Sequence, residues 1–436
     1  MNRQIFNILA LVALCAQLGA VEVYRDGDKS VSVVGEKNVV KRRLRNIENK
    51  SVSVFGEINV GIGYGSTLTY PIIISNGVSN YSIQDAYNNT KNSFMLGLQK
   101  DSRVGISFDV SGVFGEATLG LDNSTVYGEI PYFRQLYAGY DFGKGGRILA
   151  GQTELNTSMG GFISDISNEE DGLWGYGAPR NSVRRLQVRY EIAGFSIGVS
   201  ANDVVRIINT GSFYDTATET RILYEKRSIP KISLAYEYNS DRLRAKIAGS
   251  YVCAGHCNNN SNNTTKSKHI VYLTAGIRPY FNKSYLSFVL SYGLNSHYTE
   301  DGLVAYSSSI NQNITGYGNL QYISYNPDDI ANDSDRNIYA TAFEFGHHFT
   351  DKIALKIGLG YQISTLYMRG IGKYDILHSV GGFLQVPCKI NDYFTLIPQT
   401  GSRIILRSDI TNTNPNEYKL EFNVNAAALL LMKFTF

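Results

Sequence analysis

The stretch Gly194-Phe195-Ser196-Ile197-Gly198 has the spacing of a hydrolase nucleophile. That chemistry needs the serine on a sharp strand-to-helix turn, with a histidine and a carboxylate converging on it. Here the segment opens an alternating apolar run just after a tight turn, so catalysis by Ser196 is not expected. The histidines His256, His269, His297, His347, His348 and His378 show no HExxH or comparable ligand spacing. Cys253 and Cys257 flank His256 in CAGHC, ahead of the polar run NNNSNNTTKSK. In an oxidising compartment a local disulfide is the simpler reading of that pair, and a metal site with His256 is the alternative. Cys388 has no evident partner. No enzyme activity, metal or cofactor is therefore expected. The formal net charge of +3 gives no reason to expect a nucleic-acid partner.

If side chains do not supply the chemistry, the elements that carry them must supply the function. Met1 to Ala20 reads as a secretory signal: Arg3, an apolar run from Ile5 to Ala16, and a small-residue exit at Gly19-Ala20. The rest contains no apolar run near the ~18 residues that a spanning helix needs. The full sequence is rich in Tyr (31), Phe (20) and Gly (42) and only 18 % charged, a composition that favours a membrane barrel over a soluble exported domain.

The alternation supports the barrel. From Ile353 to Ile363, the residues Ile353, Leu355, Ile357, Leu359, Tyr361 and Ile363 share one face, and Ala354, Lys356, Gly358, Gly360 and Gln362 share the other. The final segment, about 418–436, repeats the pattern, with Leu430, Met432, Phe434 and Phe436 on the apolar side. One face meets lipid and the other water. In hydrocarbon an unpaired peptide group costs several kcal/mol, so such a sheet must close on itself. Strands are expected at about 50–64, 102–111, 113–122, 133–142, 146–154, 181–192, 194–202, 229–239, 242–252, 268–280, 284–297, 336–349, 352–367, 376–390, 393–407 and 418–436, about 16 in all. Short connectors such as Ser111-Gly112, Ala193-Gly194 and Asn282-Lys283 alternate with long ones at 65–101, 155–180, 203–228 and 298–335. Short turns at one end and long loops at the other mark an antiparallel transmembrane β-barrel.

Several of these stretches resemble the trimeric general porins of Gram-negative outer membranes. The start VEVYRDGDKSVSV is similar to that family's opening, and SRVGISF (102–108) to its second strand. RQLYAGYDFGKGGRILAGQTE (134–154) resembles its next conserved hairpin, and Asn181-Ser182-Val183-Arg184, Arg189-Tyr190 and Gly194-Phe195-Ser196 resemble the one after. The closing Phe436 matches the residue that the barrel-assembly machinery reads in that family. The resemblance implies that the loop after the fifth strand, about Leu155 to Arg180, folds inward and narrows the pore. Its acids Asp165, Glu169, Glu170 and Asp171 would then oppose basic wall residues, here Arg103, Arg185 and Arg189. Glu57 and Gln152 stand where relatives often carry a basic residue, so the basic ladder is expected to be thinner. Further positive wall charge is expected from Arg242, Arg244, Lys246, Lys356, Arg403 and Arg407.

The family also implies partners: outer-membrane lipid and lipopolysaccharide, two further copies in a homotrimer, and small hydrophilic solutes and ions. KSVSVVGE (29–36) recurs as KSVSVFGE (50–57), so 21–49 reads as a periplasmic extension ahead of a barrel at 50–436. The expected function is that of an outer-membrane diffusion porin. The alternative is a surface structural or adhesion barrel with a closed lumen.

Overall fold

Alternation builds each stave, and hydrogen-bond closure joins them. The computed structural model describes residues 42–43, 50–75, 78–80, 91–99, 102–121, 132–164, 173–180, 184–201, 230–256, 266–296, 303, 335–368, 373–410 and 417–436. They form a closed antiparallel barrel of 16 staves. β1 is Lys50–Ser75, and β2 has two segments, Lys91–Leu98 and Arg103–Val110. Then follow β3 (Val113–Gly120), β4 (Tyr132–Asp141), β5 (Arg147–Glu154), β6 (Arg184–Ile192), β7 (Phe195–Ser200) and β8 (Lys231–Asn239). The second half is β9 (Leu243–His256), β10 (Lys266–Phe281), β11 (Ser284–Leu294), β12 (Arg336–His348) and β13 (Ala354–Met368). β14 (Lys373–Gln385 and Cys388–Lys389), β15 (Phe394–Ile410) and β16 (Glu417–Thr435) complete it. The seam closes where β16 pairs with β1, from Glu57 opposite Thr435 to Ser75 opposite Glu417.

β1 runs to Ser75, well into the stretch expected as a loop from 65, because β16 is long enough to pair with it throughout. The same expected loop also contains Lys91–Leu98, which pairs with Val60–Thr67. At the break in β2 the Asn59 amide donates to Ser102 Oγ (3.0 Å), and that hydroxyl donates back to the Asn59 carbonyl (3.2 Å). β14 breaks at Val386-Pro387, where proline has no N–H to give to the ladder. The tight turns need left-handed backbone: Ser111-Gly112 has φ of 53° and 84°, and Ala193-Gly194 has 49° and 84°. Positive φ at both central residues is the signature of the primed turn that matches strand twist.

Apolar side chains cover the outside. On β13 Leu359 is 57 % exposed, while Gln362 on the opposite face is fully enclosed. The same parity holds on β7, where Phe195, Ile197 and Val199 face out and Ser196, Gly198 and Ser200 face in. Each outward arginine or lysine at the bilayer midplane would cost about 2–4 kcal/mol, which explains the apolar belt. Among the described residues no helix is long and apolar enough to cross a membrane. The buried apolar core lies inside the barrel, where a loop packs against the inner wall.

The signal segment and most of the 21–49 extension lie outside the described residues. Arg42 and Arg43 pair with Val54 and Ser53, continuing the sheet on the edge of β1 just past Phe436.

Candidate functional site

The loop between β5 and β6 turns inward, and its sequence shows why it stays there. Asn156, at its start, donates from Nδ2 to Ser196 Oγ (3.2 Å) and to the Ser233 carbonyl (3.4 Å), tying the loop to β7 and β8. Gly161, at φ +82°, then bends the chain against Arg244. Met159 and Phe162 pack over Gly276; a Cβ there would lie 2.5 Å from the Met159 methyl. The returning limb, Leu173–Ala178, crosses Gly360 and Gly381. A Cβ on Gly360 would meet the Tyr176 carbonyl at 2.2 Å. The wall has no side chain at these points because the loop occupies the space, with side chains over Gly276 and Gly381 and backbone over Gly360.

A buried polar knot fixes the outgoing limb. Glu344 on β12, fully enclosed, accepts from the Ser164 amide (2.5 Å), Ser164 Oγ (2.9 Å) and Tyr285 Oη (2.6 Å). Arg278 on β10 lies 3.3 Å from Glu344, donates to the Phe162 carbonyl at 2.8 Å and stacks on the Tyr285 ring. A buried carboxylate is tolerable only when paired and hydrogen-bonded, and here loop backbone completes its shell. Three more guanidinium groups lie over aromatic rings of the loop: Arg244 over Phe162, Arg403 over Tyr176 and Arg180 over Trp174. On the returning limb the Gly175 carbonyl accepts from Ser379 Oγ at 2.7 Å.

Apart from the Arg180–Trp174 stack, which is internal to the loop, these contacts lie on β7 to β15. The inner face of β1 to β6 carries a different set. Glu57 on β1 sits 3.7 Å from Arg103 of β2 and 2.7 Å from Lys433 of β16, and accepts from Asn59 Nδ2 at 2.9 Å. Arg189 Nε pairs with Glu191 at 2.7 Å and its Nη1 donates to the Glu154 carbonyl at 2.9 Å. Arg185 is half-buried on the same inward face, since Leu186 and Val188 point out. On β8 and β9, Glu237 holds both Arg244 (2.8 Å) and Lys246 (3.4 Å). The result is a wall of alternating charges at close range.

Arg103, Arg185 and Arg189 therefore stand on the inner wall, while Asp165, Glu169, Glu170 and Asp171 lie outside the described residues. Arg403 faces inward but serves to seat the loop. Arg242 lies exposed in the short turn before β9, not on the lumen wall, because the strand starts one residue later. Gln152 does not thin the inner ladder. It pairs with Leu136 and Leu186, both outward, so that position faces away from the lumen. Sequence reasoning missed Arg134, which is 1 % exposed. A register shift between Thr118 and Leu119 inserts an extra residue into β4 here, and a bulge of this kind re-aims a side chain that strict alternation would misplace. It also missed Glu344 and Arg278, which alternation marks only as inward charges.

Ser196 is enclosed near the start of β7, beneath Asn156 and without a nucleophile elbow. Cys253 and Cys388 are free thiols, and Cys257 lies outside the described residues. Among the described residues no group of three or more His, Cys, Asp or Glu side chains is placed to hold a metal ion.

No protein-family model and no curated protein sequence matches this chain. Solved structures do. The outer-membrane channel DcaP of Acinetobacter baumannii aligns with a TM-score of 0.55 at 14 % identity, covering 90 % of this chain and 99 % of that one. OmpT of Vibrio cholerae (TM-score 0.48, 12 % identity, 90 % and 99 % coverage) and an anion-selective porin from Comamonas acidovorans (0.46, 13 %, 89 % and 100 %) are more distant. At these identities the likeness is one of fold. With its apolar outer belt, the chain has the fold of a membrane-spanning β-barrel.

Proposed function

We propose that the protein is a diffusion porin: small hydrophilic solutes and ions pass down their gradients between the inward loop and the wall of β1 to β6. The observation that carries this reading is the one-sided seating of the loop. Its described contacts fall on β7 to β15, and the facing wall bears paired charges beside the inward Phe55 and Leu149. Two unit charges ~10 Å apart in water-like surroundings interact by ~0.4 kcal/mol. Such a wall therefore sorts solutes by size with a mild charge preference and binds none of them tightly. Asp165, Glu169, Glu170 and Asp171 supply the acidic side of the passage, and Arg103, Arg185 and Arg189 the basic side. Chemical catalysis has no part in this reading.

The barrel works as a homotrimer in outer-membrane lipid and lipopolysaccharide. Gln152 and the Glu154–Arg184 ion pair (3.4 Å) support this, because they place polar groups on the outward side of β5 and β6, where a second copy would cover them. Phe436 is the residue that the assembly machinery reads.

Purified protein in a planar bilayer is expected to give stable stepwise conductance, with a reversal potential in a salt gradient that reports the charge preference. Silent bilayers from well-folded protein would reject the porin reading. They would favour a surface structural barrel with a closed lumen, a reading to which the apolar layers inside the barrel also lend support. Removing residues 21–49 and measuring again shows whether the extension closes the pore.

A further inference from the structure

The loop that follows β11 does not simply leave the barrel. Asn295 takes a left-handed conformation (φ 56°) and is fully enclosed. Asparagine is among the few residues that adopt this region readily. Its Nδ2 donates to the His269 carbonyl (3.0 Å) and to Asp335 Oδ1 (2.7 Å), and its Oδ1 accepts from the Arg336 amide (3.0 Å). One side chain thus pins the two roots of the loop together at the barrel rim. Ser296 Oγ donates to the Leu303 carbonyl at 2.9 Å, which ties Leu303 to the end of β11. A Cβ on Gly293, an inward position of β11, would lie 3.6 Å from the Leu303 Cβ.

Leu303 is fully enclosed and belongs to one apolar cluster with Tyr176 of the inward loop. The other members, Tyr272, Ile338, Ala340, Leu377 and Ile405, are inward residues of β10, β12, β14 and β15, with Trp174 packed against them. Inward positions of a water-filled barrel are ordinarily polar. This cluster is apolar because two loops meet there. It lies on the long-loop side of the second apolar cluster, which Met159, Phe162 and Leu173 form with Val289, Ala342 and Phe383. The returning limb of the inward loop is therefore held from below by the wall and from above by Leu303.

We infer that Leu303 is a positioning residue for the passage: packed inside the barrel, it holds the inward loop in place through the Tyr176 cluster. The inference deepens the porin reading and rests on it for its effect on transport, although the packing itself does not. Two arms keep the two ideas apart. In a background with Cys253→Ser, Cys257→Ser and Cys388→Ser, the Leu303→Cys barrel is treated with a membrane-impermeant maleimide. The folded barrel is expected to stay unlabelled and to label only after denaturation. Prompt labelling of the folded barrel overturns the inference whether or not the protein conducts.

The second arm compares single-channel conductance and sugar exclusion in liposome swelling for Leu303→Ser and Leu303→Met. The serine variant is expected to pass larger sugars with a changed conductance step, and the methionine variant to match the unmodified protein. Should Leu303→Ser fail to fold, Leu303→Ala is read in the same way. A truncated variant that folds and conducts as the unmodified protein does, with the same exclusion limit, overturns the positioning role.

Discussion

Lys433 Nζ lies 2.7 Å from Glu57 Oε1 across the seam where the last strand closes on the first. The other oxygen of the same carboxylate faces Arg103 at 3.7 Å. Glu57 thus links three consecutive staves, β16, β1 and β2, at the one place where closure depends on distant parts of the chain meeting. It also offsets the Arg103 charge, so the basic wall is weaker there than a count of arginines suggests.

Glu57→Gln keeps the shape of the side chain and removes its charge. Charge-assisted hydrogen bonds contribute roughly 1.5–3 kcal/mol, and Lys433 is partly exposed, so a loss toward the lower end is expected. The barrel should lose its heat-resistant mobility on gels at a lower temperature. Reversal potentials should shift toward anion preference, because two cations lose their partner.

Glu344→Ala leaves Arg278 buried without its carboxylate and frees the outgoing limb of the inward loop at Ser164. Breaking a buried pair costs about 3–5 kcal/mol. Urea unfolding should show a fall of that order, and single channels of the folded fraction should become noisy. Quiet channels with unchanged exclusion would mean that Glu344 does not hold the loop.

Gly360→Val tests the contact between loop and wall separately. A Cβ at that position meets the Tyr176 carbonyl at 2.2 Å, so the returning limb must move while the outward face of β13 is untouched. The expected result is a folded barrel with altered conductance. A silent substitution would show that the limb does not rest there.

Leu359→Arg and Lys356→Glu check the two faces of β13. The first puts a charge into lipid at about 2–4 kcal/mol near the midplane and should impair insertion. The second lies on the inner face and should change ion preference only. Equal yields of folded barrel from the two variants would refute the facing.

Phe436→Ala removes the ring that covers Gly56. A Cβ on Gly56 would lie 2.2 Å from that ring, and the two residues exchange backbone hydrogen bonds of 2.9 and 3.1 Å. The backbone pairing survives the substitution while the packing does not, so slower assembly is expected with little change in the conductance of barrels that do form. Normal assembly kinetics would show that the ring is dispensable.

Sequence alone determined the class of fold and the facing of most staves. Period-two alternation ties each side chain to lipid or lumen, and closure is forced wherever peptide groups have no water. The short turns were legible for the same local reason, since Ser111-Gly112 and Ala193-Gly194 can take the positive φ that the turn demands. Tertiary structure decided what local pattern cannot encode. The length of β1 depended on the reach of β16, the aim of Arg134 on a bulge against β3, and the outward position of Gln152 on its cross-strand neighbours. The Glu344 knot joins residues 180 positions apart in sequence, and the cluster of Leu303 and Tyr176 joins two loops that meet only once the barrel is closed. A strand pattern carries facing, but contacts made through the lumen exist only after the cylinder has formed.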